Sequence, residues 1–439
     1  MATTFLLAQA DALPRLCNQL KLATGLRELV LDLNGRAACA VTCTLPRALS
    51  SLTQLNSLQL HGVTQWPSYH AGGEQLRAVL LPLSQLTRLG LRLEPAHEPA
   101  YDENAESDND DVEYDAHWNY MDMLPYFPWQ RTVCELTKLQ ELDVSIAAAM
   151  KKGRHVMFKG ALPSALSQLT ALRRLSVLGM ELWHYAHDLG DESSQLQLEA
   201  LPALETVALR LHTFYDSYPG LCNQQPIVLS RLVSLSLTLQ FEYPDELPMN
   251  NIHMPAIVAP ALTELILDGS RLALDCEQLS WLPGLPVLRR LVLKNLKTAS
   301  SELPHGISEC SGLTALVLER IMVSFDYDPD SADDSSRYGS WSLFRSLPAA
   351  GPYLSELRRI SLSGNAFTRV PPSLVAATAL EMLDLTNQRS PAGGDEQQAP
   401  RVHGLHVLGS MSQCMDLSEF SQCGIRRFQA SRPNVTVIL

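Results

Sequence analysis

The residues of this 439-residue chain whose types could do chemistry are scattered, and the spacing of each group fails the chemistry it resembles. His184-x-x-His187, followed by Asp188 and Asp191, has the composition of a zinc centre. It lies in a stretch without helical register, whereas a structural zinc site needs four converging ligands. Asp326-x-Asp328-x-Asp330, with Asp333 and Asp334, begins like a calcium loop. Its sixth position is Ser331 rather than Gly and its twelfth is Arg337 rather than Glu, so it reads as a solvated acidic loop. Cys39 with Cys43, and Cys414 with Cys423, lack the CxxC spacing of a redox or metal pair. The sequence holds no GxxxxGK[ST] phosphate loop, no GxSxG elbow and no HExxH pair. The expectation is a non-enzymatic protein with no resident metal or cofactor.

Charged residues that recur at a fixed register are more informative. Twelve times, from Leu26/Leu29/Leu31 to Leu380/Leu383/Leu385, a leucine-like residue returns at i, i+3 and i+5. In a strand, alternate side chains share a face, so i+3 and i+5 are buried while i+2, i+4 and i+6 face solvent. The exposed set includes Arg88, Arg92, Glu141, Asp143, Arg174 and Arg210, then Glu264, Asp268, Arg290, Lys294 and Arg359, as candidate partner-binding residues. Strands ~4.8 Å apart would turn these into a field of alternating sign. Such a field satisfies itself at roughly 0.2–1 kcal/mol per pair, or it forms a lattice for a protein partner of complementary charge.

The elements that must position this lattice follow from a second phrase. Leu45-Pro46 leads to Leu49, Leu52 and Leu55, stepping by three as a short helical or 3₁₀ limb does, and Leu162-Pro163 leads likewise to Leu166, Leu169 and Leu172. Strand and limb in alternation predict an α/β leucine-rich repeat solenoid, a horseshoe with a concave parallel β-sheet and convex short helices or 3₁₀ turns. The expected organisation is a single domain over residues 1–439 with about twelve or more repeats. Its insertions are residues 94–131, acidic and aromatic, 324–341, acidic, and 388–402, with shorter ones elsewhere. The surplus nearly always falls between a strand and the next limb, so the insertions are expected to leave near one edge, often the binding side. Residues 94–122 contain eleven acids and no Lys or Arg. They read as a solvated loop, a docking motif, or a lid over the cationic positions.

The phrase LPxxLxxLxxLxxLxL resembles the intracellular leucine-rich repeat proteins of plants and green algae, most fully from Leu357-Arg358-Arg359-Ile360-Ser361-Leu362 through Asn365 to Leu374. The resemblance implies a cytoplasmic scaffold or adaptor, with the cytoskeleton and the ciliary axoneme as candidate locations. Alternatives are a substrate-recognition subunit of a ubiquitin ligase and a receptor-type ligand-binding ectodomain. The first calls for an upstream F-box, the second for a signal peptide and cap cysteines. The chain departs from the pattern at i+8, where the expected Asn stands at Asn34 and Asn365 but is mostly absent.

Totals narrow the function further. A net charge of −13 and a pI near 5.4 argue against a general nucleic-acid binder. No apolar run approaches the ~20 residues of a membrane span. Nine cysteines, with no basic stretch ahead of the short apolar N-terminal run, suggest a reducing compartment, with Cys134, Cys222 and Cys310 as buried thiols. The limb beginning Leu13-Pro14 has the chain open almost inside a repeat, and Asn434-Val435-Thr436-Val437-Ile438-Leu439 is expected to close the array as a strand.

Overall fold

The computed structural model describes residues 2–6, 13–32, 44–64, 79–94, 133–146, 158–159, 164–181, 198–213, 226–241, 256–273, 279–298, 305–324, 341–343, 347–348, 350–367, 369–388 and 422–438. Most of the acidic insertion at 94–131, the His184/His187 group, the Asp326–Asp334 run and residues 389–402 lie outside them, as do Cys39, Cys43, Cys222, Cys414 and Asn34. The chain divides into two compact units, Met1–Thr213 and Phe214–Leu439.

In the first unit the strands are β1 (Ala2–Leu6), β2 (Glu28–Asp32), β3 (Ser57–Thr64), β4 (Arg88–Glu94), β5 (Glu141–Ile146), β6 (Phe158–Lys159), β7 (Arg174–Glu181) and β8 (Thr206–Thr213). Neighbours are parallel, and their register stacks like positions of the repeat. Leu29, Leu58, Leu89, Leu142, Leu175 and Val207 form one row, and Leu31, Leu60, Leu91, Val144, Val177 and Leu209 the next. The most exposed residue of either row is Leu209 at 4%, so the twofold strand period puts every repeat leucine into one continuous core. β6 is a two-residue addition beside the end of β7, in the stretch between two repeats.

The return limbs keep the expected step of three. Leu49, Leu52 and Leu55 are buried, and the N–H groups of Leu52 and Leu55 each donate to the carbonyl three residues back at 2.9 Å. Leu166, Leu169 and Leu172 repeat the arrangement with the same distances. Two limbs begin as helices, α1 (Leu13–Leu22) and α2 (Thr44–Leu49), and others are 3₁₀ turns at Val133–Glu135, Ser164–Gln168 and Leu198–Ala200. β1 is a difference from the sequence reading, which opened at the Leu13 limb. It pairs with β2 residue for residue, from Ala2 with Glu28 to Leu6 with Asp32. Its Thr3, Thr4 and Phe5 favour a strand, but it lacks the leucine triplet by which the repeats are recognised.

The second unit holds β9 (Ile227–Val228), β10 (Ser234–Phe241), β11 (Ile257–Val258), β12 (Glu264–Ala273), β13 (Arg290–Thr298), β14 (Ala315–Glu319), β15 (Met322–Ser324), β16 (Trp341–Leu343), β17 (Arg359–Ser361), β18 (Met382–Asp384) and β19 (Thr436–Ile438). The leucine row here runs Leu235, Leu265, Leu291, Leu316, Ile360, Leu383 and Val437. β19 is the closing strand expected from the sequence, and the limb before it is the helix α4 (Gln422–Ser431), following α3 (His305–Ser308). β9 and β11 make a separate two-stranded parallel sheet, so two limbs are strands rather than helical turns. Both carry adjacent β-branched residues, Ile227-Val228 and Ile257-Val258, ahead of the last step of three, from Leu229 to Leu232 and from Ala259 to Leu262. The acidic insertion at 324–341 leaves along β15 and returns along β16. These pair antiparallel, Ser324 opposite Trp341, which brings the two ends of the insertion together.

Between repeats a recurring clamp fixes the register. The Asn56 carbonyl accepts from the N–H groups of Thr87 and Arg88 at 2.8 and 3.0 Å, and the Thr263 carbonyl accepts from Arg289 and Arg290, both at 2.9 Å. After the strand the turn uses left-handed backbone seven positions past i, at Asn295, Arg320, Gly364 and Asn387, with φ of 53°, 53°, 73° and 55°. At Gly364 the left-handed φ is joined by a close approach, since a Cβ there would meet the Arg320 Cγ at 2.7 Å, whereas Asn295, Arg320 and Asn387 carry side chains at the equivalent turn position.

Candidate functional site

The open face of the sheet in each unit is where the exposed positions of the repeat collect. In the first unit the i+2 row runs Glu28, Ser57, Arg88, Glu141, Arg174 and Thr206. Glu141 therefore lies between two arginines contributed by strands on either side of it. Its Oε1 is 3.4 Å from the Arg88 Nε and 3.9 Å from an Arg174 terminal nitrogen. The arginine side chains remain 60% and 64% exposed, so solvent screens these contacts and two guanidinium forks compete for one oxygen.

The other predicted residues of this unit are placed differently. Arg92 is exposed in the i+6 row, opposite His61 and Ser145, and has no ion-pair or hydrogen-bond partner among the described residues. Arg210 lies beside Leu178 in the same row, with its Nε buried and without a hydrogen-bond partner. Asp143 is exposed in the middle row between Gly90 and Ser176.

In the second unit the charges mostly satisfy one another. Glu264 bonds to the Arg290 guanidinium and accepts from the Ser234 hydroxyl at 2.8 Å. Lys294 meets Glu319 at 2.7 Å, and Asp268 accepts from the Asn295 side-chain amide at 2.6 Å. Arg359 is exposed between Ala315 and Met382, without a partner among the described residues. Val292 is a correction to the sequence reading. As an i+4 residue it should face solvent, yet it is 1% exposed. It stands between Ile266 and Val317, with the long side chains of Arg290 and Lys294 on its own strand, so the middle of this face is apolar.

Burial alone would raise the Glu264 carboxyl, but the hydrogen bonds from Ser234 and Arg290 and the Arg290 charge outweigh it and hold the group below the usual carboxylate range. A lowered folded pKa contributes stability that is full above the unfolded value of about 4.3 and is lost as pH falls through the folded value. The stability difference between the wild type and Glu264→Gln is thus expected to be constant at neutral pH and to shrink in acid. Urea unfolding of both across this window checks it, and a gap unchanged down to about pH 2 contradicts the linkage.

Sequence reasoning missed an outer line of ion pairs ahead of the strands, Arg173 with Glu205, Arg289 with Glu356 and Arg358 with Glu381, at 3.7, 2.8 and 3.0 Å. The signal was present as a Leu-Arg-Arg phrase at Leu172, Leu288 and Leu357. The first arginine of each phrase pairs at the strand's start and the second projects onto the open face. Gln388 was also missed. It is 5% exposed, accepts from the Phe367 N–H at 2.9 Å and donates to the Leu362 carbonyl at 2.8 Å, the role expected of Asn alone at i+8.

Among the described residues Cys134 and Cys310 are buried. Burial, with the neighbouring Glu135 and Glu309 charges, pushes Cys134 and Cys310 up to about 11, so neither is a thiolate at neutral pH. Burial likewise pushes Tyr353 up to about 12, and its hydroxyl donates to the Pro348 carbonyl at 3.0 Å. Among the described residues no group of three or more His, Cys, Asp or Glu could hold a metal ion, and no helix is long and apolar enough to cross a membrane.

The stacked leucine rows, parallel strands and three-residue limbs define the fold as a leucine-rich repeat solenoid. No family model matches the chain, and no curated protein does. Among solved structures it is similar to an internalin, InlF, of Listeria monocytogenes, at 16% identity over 78% of this chain and 68% of that one, with a TM-score of 0.39. It is also similar to the leucine-rich repeat ectodomain of the Arabidopsis receptor kinase HAESA, solved with an N-terminally extended IDA peptide hormone. There the identity is 15% over 84% of this chain and 52% of that one, with a TM-score of 0.35. A leucine-rich repeat protein of Bacteroides thetaiotaomicron matches at 13% identity over 83% and 42%, with a TM-score of 0.30.

Proposed function

We propose that this protein is a non-enzymatic interaction scaffold that binds a protein partner through the open strand face and the edge from which the insertions leave. The observation that carries the reading is the row Arg88, Glu141, Arg174, where one carboxylate oxygen is shared by two largely exposed guanidiniums. Groups held this loosely are available to a partner's carboxylates, and a rigid sheet presents them at fixed spacing with little ordering cost. The reading places the protein in the cytoplasm, with the cytoskeleton and ciliary axoneme as candidate sites. That location rests on the sequence resemblance.

The test is quantitative capture of partners by the full-length chain from its own cells, in wild-type form and with Arg88, Arg174, Arg290 and Arg359 changed to Glu. The variant should lose partners that the wild type retains, because reversed charges repel what the original charges drew in. Equal recovery by both would remove the open face as the binding surface.

A further inference from the structure

The open face of β4, β5, β7 and β8 carries more positive charge than the rest of the chain would suggest. Its i+2, i+4 and i+6 positions hold Arg88, Arg92, Arg174 and Arg210 against Glu141 and Asp143, whereas the whole chain has a net charge of −13. The surplus is also poorly neutralised. Arg88 and Arg174 approach a single Glu141 oxygen, at 3.4 and 3.9 Å, and Arg92 has no partner among the described residues. The two arginine rows lie four residues apart along the strands, or ~13 Å. Between them the middle row holds Gly90, Asp143, Ser176 and Ala208 on β4, β5, β7 and β8, so a chain crossing these strands meets three short side chains and one exposed carboxylate.

We infer that this face is a docking site for an extended acidic segment of a protein partner, lying across the strands between the Arg88/Arg174 row and the Arg92/Arg210 row. The inference deepens the interaction reading above and rests on it. From β4 to β8 is three strand spacings, ~14 Å, which about four extended residues span. Successive side chains of such a segment point to opposite sides, so its carboxylates serve the two rows in alternation. Guanidinium forks match carboxylates in pairs of hydrogen bonds, which favours a segment whose acids are spaced rather than a continuous polyanion. Asp143, exposed in the middle row, repels a negative charge that runs unbroken through the site, and the acidic chain as a whole disfavours nucleic acid.

The test uses the full-length chain and fluorescence anisotropy with a labelled synthetic peptide of repeated Glu-Glu-Ser-Ser, about eight residues long, in which each Glu pair offers one carboxylate to either side. Its Gln-for-Glu counterpart and a single-stranded oligonucleotide of equal charge are the comparison probes. The Glu peptide should bind and weaken as salt is raised, and the other two should bind at least about tenfold less well. Arg88→Gln with Arg174→Gln should lower its affinity about tenfold, and Arg92→Gln alone, at an exposed residue without a partner among the described residues, should lower it severalfold. Arg359→Gln in the other unit should leave it unchanged. Equal binding of the Glu and Gln peptides, tight binding of the oligonucleotide, or indifference to all three β4 and β7 substitutions would overturn the inference. If captured partners still depend on the open face while the Glu peptide does not bind, this inference alone fails. If they do not depend on it, the interaction reading fails as well.

Discussion

Leu175→Ala is expected to destabilise the first unit by about 2–5 kcal/mol. Leu175 is 1% exposed and stands between Leu142 and Val207 in the stacked row, with Val177 beside it on the same strand and buried to 0%. Truncation removes buried methyl groups and leaves a cavity bounded on both sides by strands locked through paired backbone bonds. The Gln140 carbonyl, for example, accepts from Arg173 and Arg174 at 2.8 and 3.0 Å. A clamped ladder cannot close around the hole, which places the cost toward the upper part of the range. In a repeat array the loss is felt first by adjoining repeats, so urea unfolding should shift to lower denaturant and lose cooperativity.

Asn365→Ala is expected to cost roughly 3–5 kcal/mol, from lost hydrogen bonds rather than lost volume. Asn365 is 0% exposed. Its amide donates to the carbonyls of Leu318 and Leu362, both at 2.7 Å, and its oxygen accepts from the Ile321 N–H at 2.9 Å. These are backbone groups near the end of β14, just after it and just after β17, and each pays its desolvation cost when the side chain is removed. Leu362 keeps one partner in Gln388, so the orphaned groups are chiefly those of Leu318 and Ile321. Asn365→Asp should not rescue, because a carboxylate cannot donate to the two carbonyls and adds a buried charge. Thermal unfolding reads the effect, and a cost under about 1 kcal/mol would mean that the turns do not depend on this amide.

Much of the fold was legible because its signal is local. A leucine at i, i+3 and i+5 fixes which face of a short strand is buried wherever that strand sits, and register then follows from stacking like on like. This placed Arg88, Glu141 and Arg174 on one face although a long insertion separates Arg88 from Glu141 in sequence. What was not legible depends on neighbours that the spacing does not specify. The pairing of Glu141 with both arginines, and of Glu264 with Arg290 and Ser234, is decided by strand order and side-chain reach. β1 and the β9/β11 limbs carry strand-forming residues without the leucine phrase, so a search for that phrase passes over them. Gln388 escaped because the role was sought in Asn alone, although a longer amide reaches the same carbonyl.

Residues 174 and 175 put the account to its most direct test, since alternation assigns them opposite duties one bond apart. Arg174→Ala and Leu175→Ala are each compared with the wild type for urea unfolding and for partner binding per folded molecule. Arg174→Ala should leave stability within about 0.5 kcal/mol and weaken binding. Leu175→Ala should lower stability by several kcal/mol, on the order of 2–5, while the molecules that remain folded bind as the wild type does. Loss of stability in Arg174→Ala with full binding, or loss of binding in folded Leu175→Ala alone, would contradict the division of this chain into a leucine core and an open, partner-facing sheet.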